Sequence, residues 1–267
     1  MIGHGSIFAS PCVSSQPHLI FCATLGGIVA AIHGDSGTLL WKHNCTKPVF
    51  SSPMLTKSGI CVGCVDRQIY HIHFQGQMTW QFTVEDLVFS SPTFVDNVIL
   101  FGSDDCHLYC LSMEGCLIWT VKVESAVYSS PFTFTLNYFQ QDHDIIKTKP
   151  KDFQNNMYFL SNCSPPNFSQ PEDILCKNSS CNLFEAEQSN KLKTDTIKNG
   201  TIQRNRKEQR FVTSASTDGY LYIVDFYSGE IISKHFLSGQ IFSSPVVYDN
   251  CLVFGCRNDF VYCFSIK

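Results

Sequence analysis

An all-β fold of repeated four-stranded antiparallel blades, a β-propeller, is predicted by three observations. A short phrase occurs five times: Phe8-Ala9-Ser10-Pro11, Phe50-Ser51-Ser52-Pro53, Phe89-Ser90-Ser91-Pro92, Tyr128-Ser129-Ser130-Pro131 and Phe242-Ser243-Ser244-Pro245, with successive prolines 42, 39, 39 and 114 residues apart. Each copy leads into short β-rich runs separated by tight turns, and no stretch sustains helical periodicity. All three tryptophans, Trp41, Trp80 and Trp119, fall at one place in the unit. A period of about 40 residues made of short strands is the signature of a propeller blade.

Taken in order, each unit reads as a meander. The second and third strands are plain in four units: Ile60 to Cys64 then Ile69 to His73, Val98 to Gly102 then His107 to Leu111, Phe211 to Ala215 then Tyr220 to Asp225, and Leu252 to Cys256 then Phe260 to Phe264. Between second and third strands sit Gly26-Gly27, Asp66-Arg67, Asp104-Asp105, Asp218-Gly219 and Asn258-Asp259, mostly residues that tolerate the positive φ of two-residue hairpins. The next turn is Asp35-Ser36-Gly37, Gln75-Gly76-Gln77, Glu114-Gly115 or Ser228-Gly229, and the fourth strand follows with its tryptophan. A lone sheet cannot bury both faces, so blades must stack, and a large flat side chain at the same place in each unit fills the gap between neighbours. The fourth unit has Lys234 near that place, so its junction is expected to be weaker. Four full units and a partial fifth are expected, as an arc of a larger ring.

The long proline spacing marks an insertion. The chain divides into residues 1–136, blades one to three and the start of blade four; residues 137–210, an insertion within blade four; and residues 211–267, the rest of blade four and the partial fifth. The insertion contains Pro165-Pro166, Pro171 and clusters of Asn, Ser, Lys and Gln, the composition of a disordered loop. It holds 11 basic and 9 acidic residues, which leaves the blades with a net charge of −6. Nucleic-acid binding demands a clustered basic surface and is not expected.

The first unit, Ala31 to Trp41, reads AIHGDSGTLLW and resembles the tryptophan-docking motif of the quinoprotein (PQQ-like) repeat. With its insertion and cysteine-rich strands, the whole chain is similar to the carboxy-terminal propellers of the β-alanine-activating enzyme family, within the acyl-CoA synthetases. The resemblance implies a parent ATP-dependent acid-thiol ligase in which an adenylating domain and a phosphopantetheine carrier precede the propeller. It also implies protein partners, namely those two domains or an acceptor protein. ATP and phosphopantetheine belong to such a parent; this chain has no phosphate-cradling GxxxxGK[ST] loop and no acyl-carrier serine motif. The alternative reading is a stand-alone interaction scaffold of the same repeat type.

Chemistry-bearing patterns are sparse, and no catalytic, cofactor-binding or metal residue is assigned. Cys61 and Cys64 have the spacing of half a zinc site, but residues i and i+3 of a strand point to opposite faces. His71 and His73 share a strand face, and Cys163, Cys176 and Cys181 lack neighbouring histidines. The quinone of true quinoprotein dehydrogenases needs acidic calcium ligands and a vicinal cysteine pair, and adjacent cysteines are absent from the sequence. Serine pairs that recur in every blade point to a structural role, since an active site is normally unique. No apolar run approaches the roughly 20 residues needed to span a membrane. Without a signal-type amino terminus, the 14 cysteines are read as reduced thiols and the chain as cytoplasmic.

Overall fold

Short β-branched and aromatic runs punctuated by Gly, Asp and Asn turns fold into nineteen strands in the computed structural model, which describes residues 5–139, 206–248 and 251–266. Blade one holds β1 (Cys12–Ser15), β2 (His18–Ala23), β3 (Ile28–His33) and β4 (Leu39–Asn44), and blade two holds β5 (Met54–Leu55), β6 (Gly59–Cys64), β7 (Gln68–His73) and β8 (Met78–Thr83). Blade three is β9 (Thr93–Val95), β10 (Val98–Gly102), β11 (His107–Ser112) and β12 (Leu117–Lys122); blade four is β13 (Phe132–Phe139), β14 (Arg206–Ala215), β15 (Tyr220–Asp225) and β16 (Ile231–Phe236). Blade five comprises β17 (Val246–Tyr248), β18 (Cys251–Gly255) and β19 (Val261–Ser265) among the described residues. Every sheet is an antiparallel meander with its strands in sequence order.

The innermost strands stand side by side, β1 beside β5, β5 beside β9 and β13 beside β17, so the blades radiate from a common axis. Burial follows from that arrangement. A second strand such as β6 is covered by a neighbouring blade on each face and is buried along its whole length, whereas the outer strands β4 and β8 alternate exposed and half-buried residues. Within the stretch expected as an insertion, residues 137–139 and 206–210 continue the β13–β14 ladder, in which Phe139 pairs with Arg206. The remainder of that stretch, residues 140–205, lies outside the described residues.

Four apolar layers fill the junctions between blades. At the first, Phe21, Val29 and Ala31 of blade one meet Ile60, Val62 and Ile72 of blade two. The tryptophans act here, and the docking has a direction. Trp41 donates its indole N–H to the Phe74 carbonyl at 2.7 Å, Trp80 to that of Met113 at 2.9 Å, and Trp119 to that of Phe226 at 3.0 Å. Each ring thus lies on the turn before the outer strand of the next blade. That turn carries Gly76, Gly115 or Gly229, where an added Cβ would stand 2.7, 2.6 or 2.9 Å from the indole. Glycine is required twice at these positions, by a positive φ and by the ring resting on the backbone.

The fourth junction differs from the expectation. In each of β4, β8, β12 and β16 a bulge displaces the register by one residue, and the residue after the bulge is Trp41, Trp80, Trp119 and Ser233. Ser233, not Lys234, stands at the tryptophan position. Lys234 is one residue further on the opposite face, with its ammonium 5.1 Å from the Tyr220 ring centre and 2.6 Å from Glu124 Oε1. Where an indole fills the other junctions, a cavity of about 30 Å³ remains, lined by Ile223, Ser233, His235, Leu252, Phe264 and Ile266 among others.

Candidate functional site

The repeated phrase builds one mouth of the propeller axis, and its two serines divide the labour. In three of the phrases the first staples a blade to itself, whereas Ser90 donates to the Ser129 carbonyl of the next phrase at 3.0 Å. The Ser51 hydroxyl donates to the Gly63 carbonyl and accepts from the Gly63 N–H, both at 2.8 Å. Ser129 does the same with Ala215, and Ser243 with Gly255. The second staples neighbours together, since Ser52, Ser91 and Ser244 each accept from the backbone N–H of the equivalent residue in the preceding blade, Ser10, Ser52 and Ser130, at 2.8–2.9 Å. Structural use in several blades accounts for the recurrence of the pair. The aromatic residue ahead of it is held at the axis without being sealed in the core.

These aromatics form a continuous arc. Ring centres are 6.4 Å apart from Phe8 to Phe50, 5.2 Å from Phe50 to Phe89, 4.9 Å from Phe89 to Tyr128 and 5.3 Å from Tyr128 to Phe242, each pair tilted. Phe8 and Phe50 are exposed, and the other three rings are half-buried. The arc ends on a cation, the Arg257 guanidinium lying 4.2 Å from the Phe242 ring centre, a cation–π distance.

Polar character concentrates at one point of the arc. Asp104 and the Tyr128 hydroxyl interact electrostatically, and the Asp104 Oδ1 is buried with no partner among the described residues. Burial raises the Asp104 carboxyl above the usual range, with the neighbouring Asp86 and Asp105 adding to the rise. Burial and the nearby Asp104 carboxyl push the Tyr128 phenol up to about 12. The mouth therefore offers apolar ring surface, a neutral phenol and an acidic group at one place, and an arginine at one end.

Asp66, Asp105 and Asn258, at one place in three of the turns between second and third strands, are structural. The side chain of Asp66 receives the Tyr70 hydroxyl at 2.8 Å, Asp105 that of Tyr109 at 2.8 Å, and Asn258 lies 2.6 Å from that of Tyr262, so each turn is pinned to its own third strand. The metal-type spacings are drawn apart. Cys61 faces the junction with blade three and Cys64 the junction with blade one, where its thiol points at the Lys47 and Pro48 carbonyls. His71 is buried between the Thr56 and Thr79 hydroxyls and stacks on Trp80 at 5.3 Å; burial, with the nearby His73, lowers its pKa to about 4. His73 accepts the Gln75 N–H at an exposed turn. Cys163, Cys176 and Cys181 lie outside the described residues. Among the described residues no group of three His, Cys, Asp or Glu is placed to hold a metal ion.

The aromatic arc was not singled out from the sequence, although the signal was present. An aromatic opens all five copies, before a serine pair in four and before Ala9-Ser10 in the first, at a position that the strand alternation does not assign to the core.

Comparison with known proteins agrees with this architecture. Residues 1–159, more than half of the chain, match the family model described as the β-propeller of the β-alanine-activating enzyme. The β-alanine-activating enzyme of Mus musculus is 44% identical over 61 residues, and that of Homo sapiens 40% over 62; each match covers 23% of this chain and 6% of the relative. The matched stretch thus spans only a small part of the curated relatives. Among solved structures, the computationally designed Ika8 protein superposes with a TM-score of 0.62 at 14% identity, over 99% of this chain and 60% of its own, a likeness of fold alone.

Proposed function

We propose that this chain, which belongs to the β-propeller family of the β-alanine-activating enzyme, works in the cytoplasm as a non-catalytic protein-binding module of such an ATP-dependent ligase. The observation that carries the reading is the arc of five aromatic rings at the mouth. Rings in mutual contact, held by backbone staples and left partly open to solvent, supply large contact area at low conformational cost, as the anchors of protein interfaces do. The occupant that fits the parent's organisation is its own adenylating and carrier portion, docking its apolar surface on Phe8 and Phe50 with a polar group at the Asp104–Tyr128 pair.

Titration calorimetry of the chain against the purified adenylating-plus-carrier portion tests this. Binding is expected to weaken at least tenfold in the Phe8→Ala/Phe50→Ala double variant, whose exposed side chains can be removed with little effect on folding. Equal binding by the variant, or none by the unaltered chain, would exclude the mouth as the docking surface.

A further inference from the structure

The mouth has one position at which the blades disagree. In the turn between second and third strands, Leu25, Val65, Asp104, Thr217 and Arg257 each donate the backbone N–H to the carbonyl two residues before their blade's phrase aromatic, at 2.9–3.2 Å. One backbone frame thus brings side chains of different character to the same place beside the arc. In blade five the side chain lays its guanidinium 4.2 Å from the Phe242 ring centre, so a ring of the arc accepts a cation on its face. Blade three has an acid at that place instead.

That acid is not used by its own turn. Asp105 is engaged by the Tyr109 hydroxyl and the Glu85 N–H, and Asp86 by the Leu87 N–H, but Asp104 has Asp86 as a repelling neighbour. Blade four has the Thr217 and Ser125 hydroxyls at the equivalent two positions, hydrogen-bonded at 2.9 Å. Among the described residues neither Asp86 nor Asp104 has an ion-pair partner. The corner is also firmly held: Phe89 and Tyr128 make the shortest ring contact of the arc, 4.9 Å, and the Ser90 and Thr93 hydroxyls cross to the Ser129 and Pro131 carbonyls of blade four. A surface ordered in advance binds at a lower entropic cost.

We infer that this corner receives one basic side chain, lysine or arginine, of the protein that docks on the mouth, its charge meeting Asp104 and its stem lying on the Phe89 and Tyr128 rings. The inference rests on the reading of the mouth as a docking surface and adds the chemistry of the docked residue. The occupant is chosen by charge complementarity. Two carboxylates without a cation, set beside aromatic faces, disfavour an acidic residue and favour a cation carried on an apolar stem.

The probe is a random peptide library displayed on phage and selected on the full chain, which requires no part of the parent enzyme. Enriched peptides are expected to carry a lysine or arginine beside apolar residues, and norleucine in its place in the synthetic peptide should weaken binding at least tenfold. Asp104→Asn should lose the same factor and no longer distinguish the basic residue from norleucine. Asp35→Asn, which removes one charge in a turn between third and fourth strands, should change nothing. The Tm of Asp104→Asn should be unchanged or raised, because a repelling charge is gone. Peptides without a basic residue, equal binding by Asp104→Asn or a fall in its Tm overturn the assignment, and where Phe8→Ala/Phe50→Ala still abolishes their binding the mouth stands as a docking surface. An unenriched library, or peptides indifferent to Phe8→Ala/Phe50→Ala, overturns the assignment too, and calorimetry against the adenylating-plus-carrier portion then decides the proposed function separately.

Discussion

The first three blade junctions and the fourth share one backbone plan and differ in what fills it. In the first three an indole bridges the blades, its N–H satisfied by a carbonyl and its ring seated on a glycine turn. At the fourth a serine takes that place and leaves a cavity of about 30 Å³. Blade five is nevertheless seated, because Phe254, Tyr262 and Phe264 stack among themselves and meet Phe211, Leu221 and Ile241. Area burial alone positions a blade, and the tryptophan adds registration through a directional hydrogen bond and a shape that only glycine accepts.

The contrast can be broken most severely by removing an indole. Trp119→Ala, at the most buried of the three sites, is expected to cost about 3–5 kcal/mol in urea unfolding, with Trp80→Ala at or below the lower end because that ring is half-buried. Acid should act next. His71 is held neutral with a pKa near 4 against an ordinary 6.5, so the unfolded chain takes up its proton first. Its contribution is complete above pH 6.5 and is lost as pH falls toward 4, by up to about 3 kcal/mol. A pH series of unfolding midpoints should flatten over that window in His71→Gln. His235, lowered in the same direction by burial at the fourth junction, should give a smaller change.

Smaller effects sharpen the comparison. Gly229→Asn should destabilise by about 1–3 kcal/mol through collision with Trp119, whereas Gly37→Asn, with the same φ and no ring above it, should be close to neutral in a thermal melt. Ser233→Val should fill part of the fourth cavity and gain roughly 0.5–1 kcal/mol. A loss on that substitution would mean that the space is closed by its neighbours rather than open.

The blade architecture was legible because each strand repeats its pattern under one constraint, burial against a neighbour on either side. The tryptophan packing was legible for the same reason. The place of the fourth junction's missing indole was not, because a bulge in the outer strand shifts the register and makes counting along β16 ambiguous. Counting from the turn glycine resolves it: Trp41, Trp80 and Trp119 each follow Gly37, Gly76 and Gly115 by four residues, and the same step from Gly229 reaches Ser233. The direction of docking could not be read, since the acceptor carbonyls of Phe74, Met113 and Phe226 are backbone groups that any residue supplies. The aromatic mouth stayed hidden because its rings belong to the phrase that defines the repeat, and a ring that closes a core and a ring that rims an opening look alike in one dimension.

The ladder between β13 and β14 has a consequence for the length of chain it encloses. Phe139 and Arg206 are paired rungs, so the two ends that β13 and β14 present at this point are held side by side by the ladder itself, and the spacing of blades three, four and five is set by the strands. Closure entropy changes by only about 0.6 kcal/mol when the length between two fixed ends doubles, so a change in chain length between this pair of rungs is expected to leave the pitch of every blade as it is.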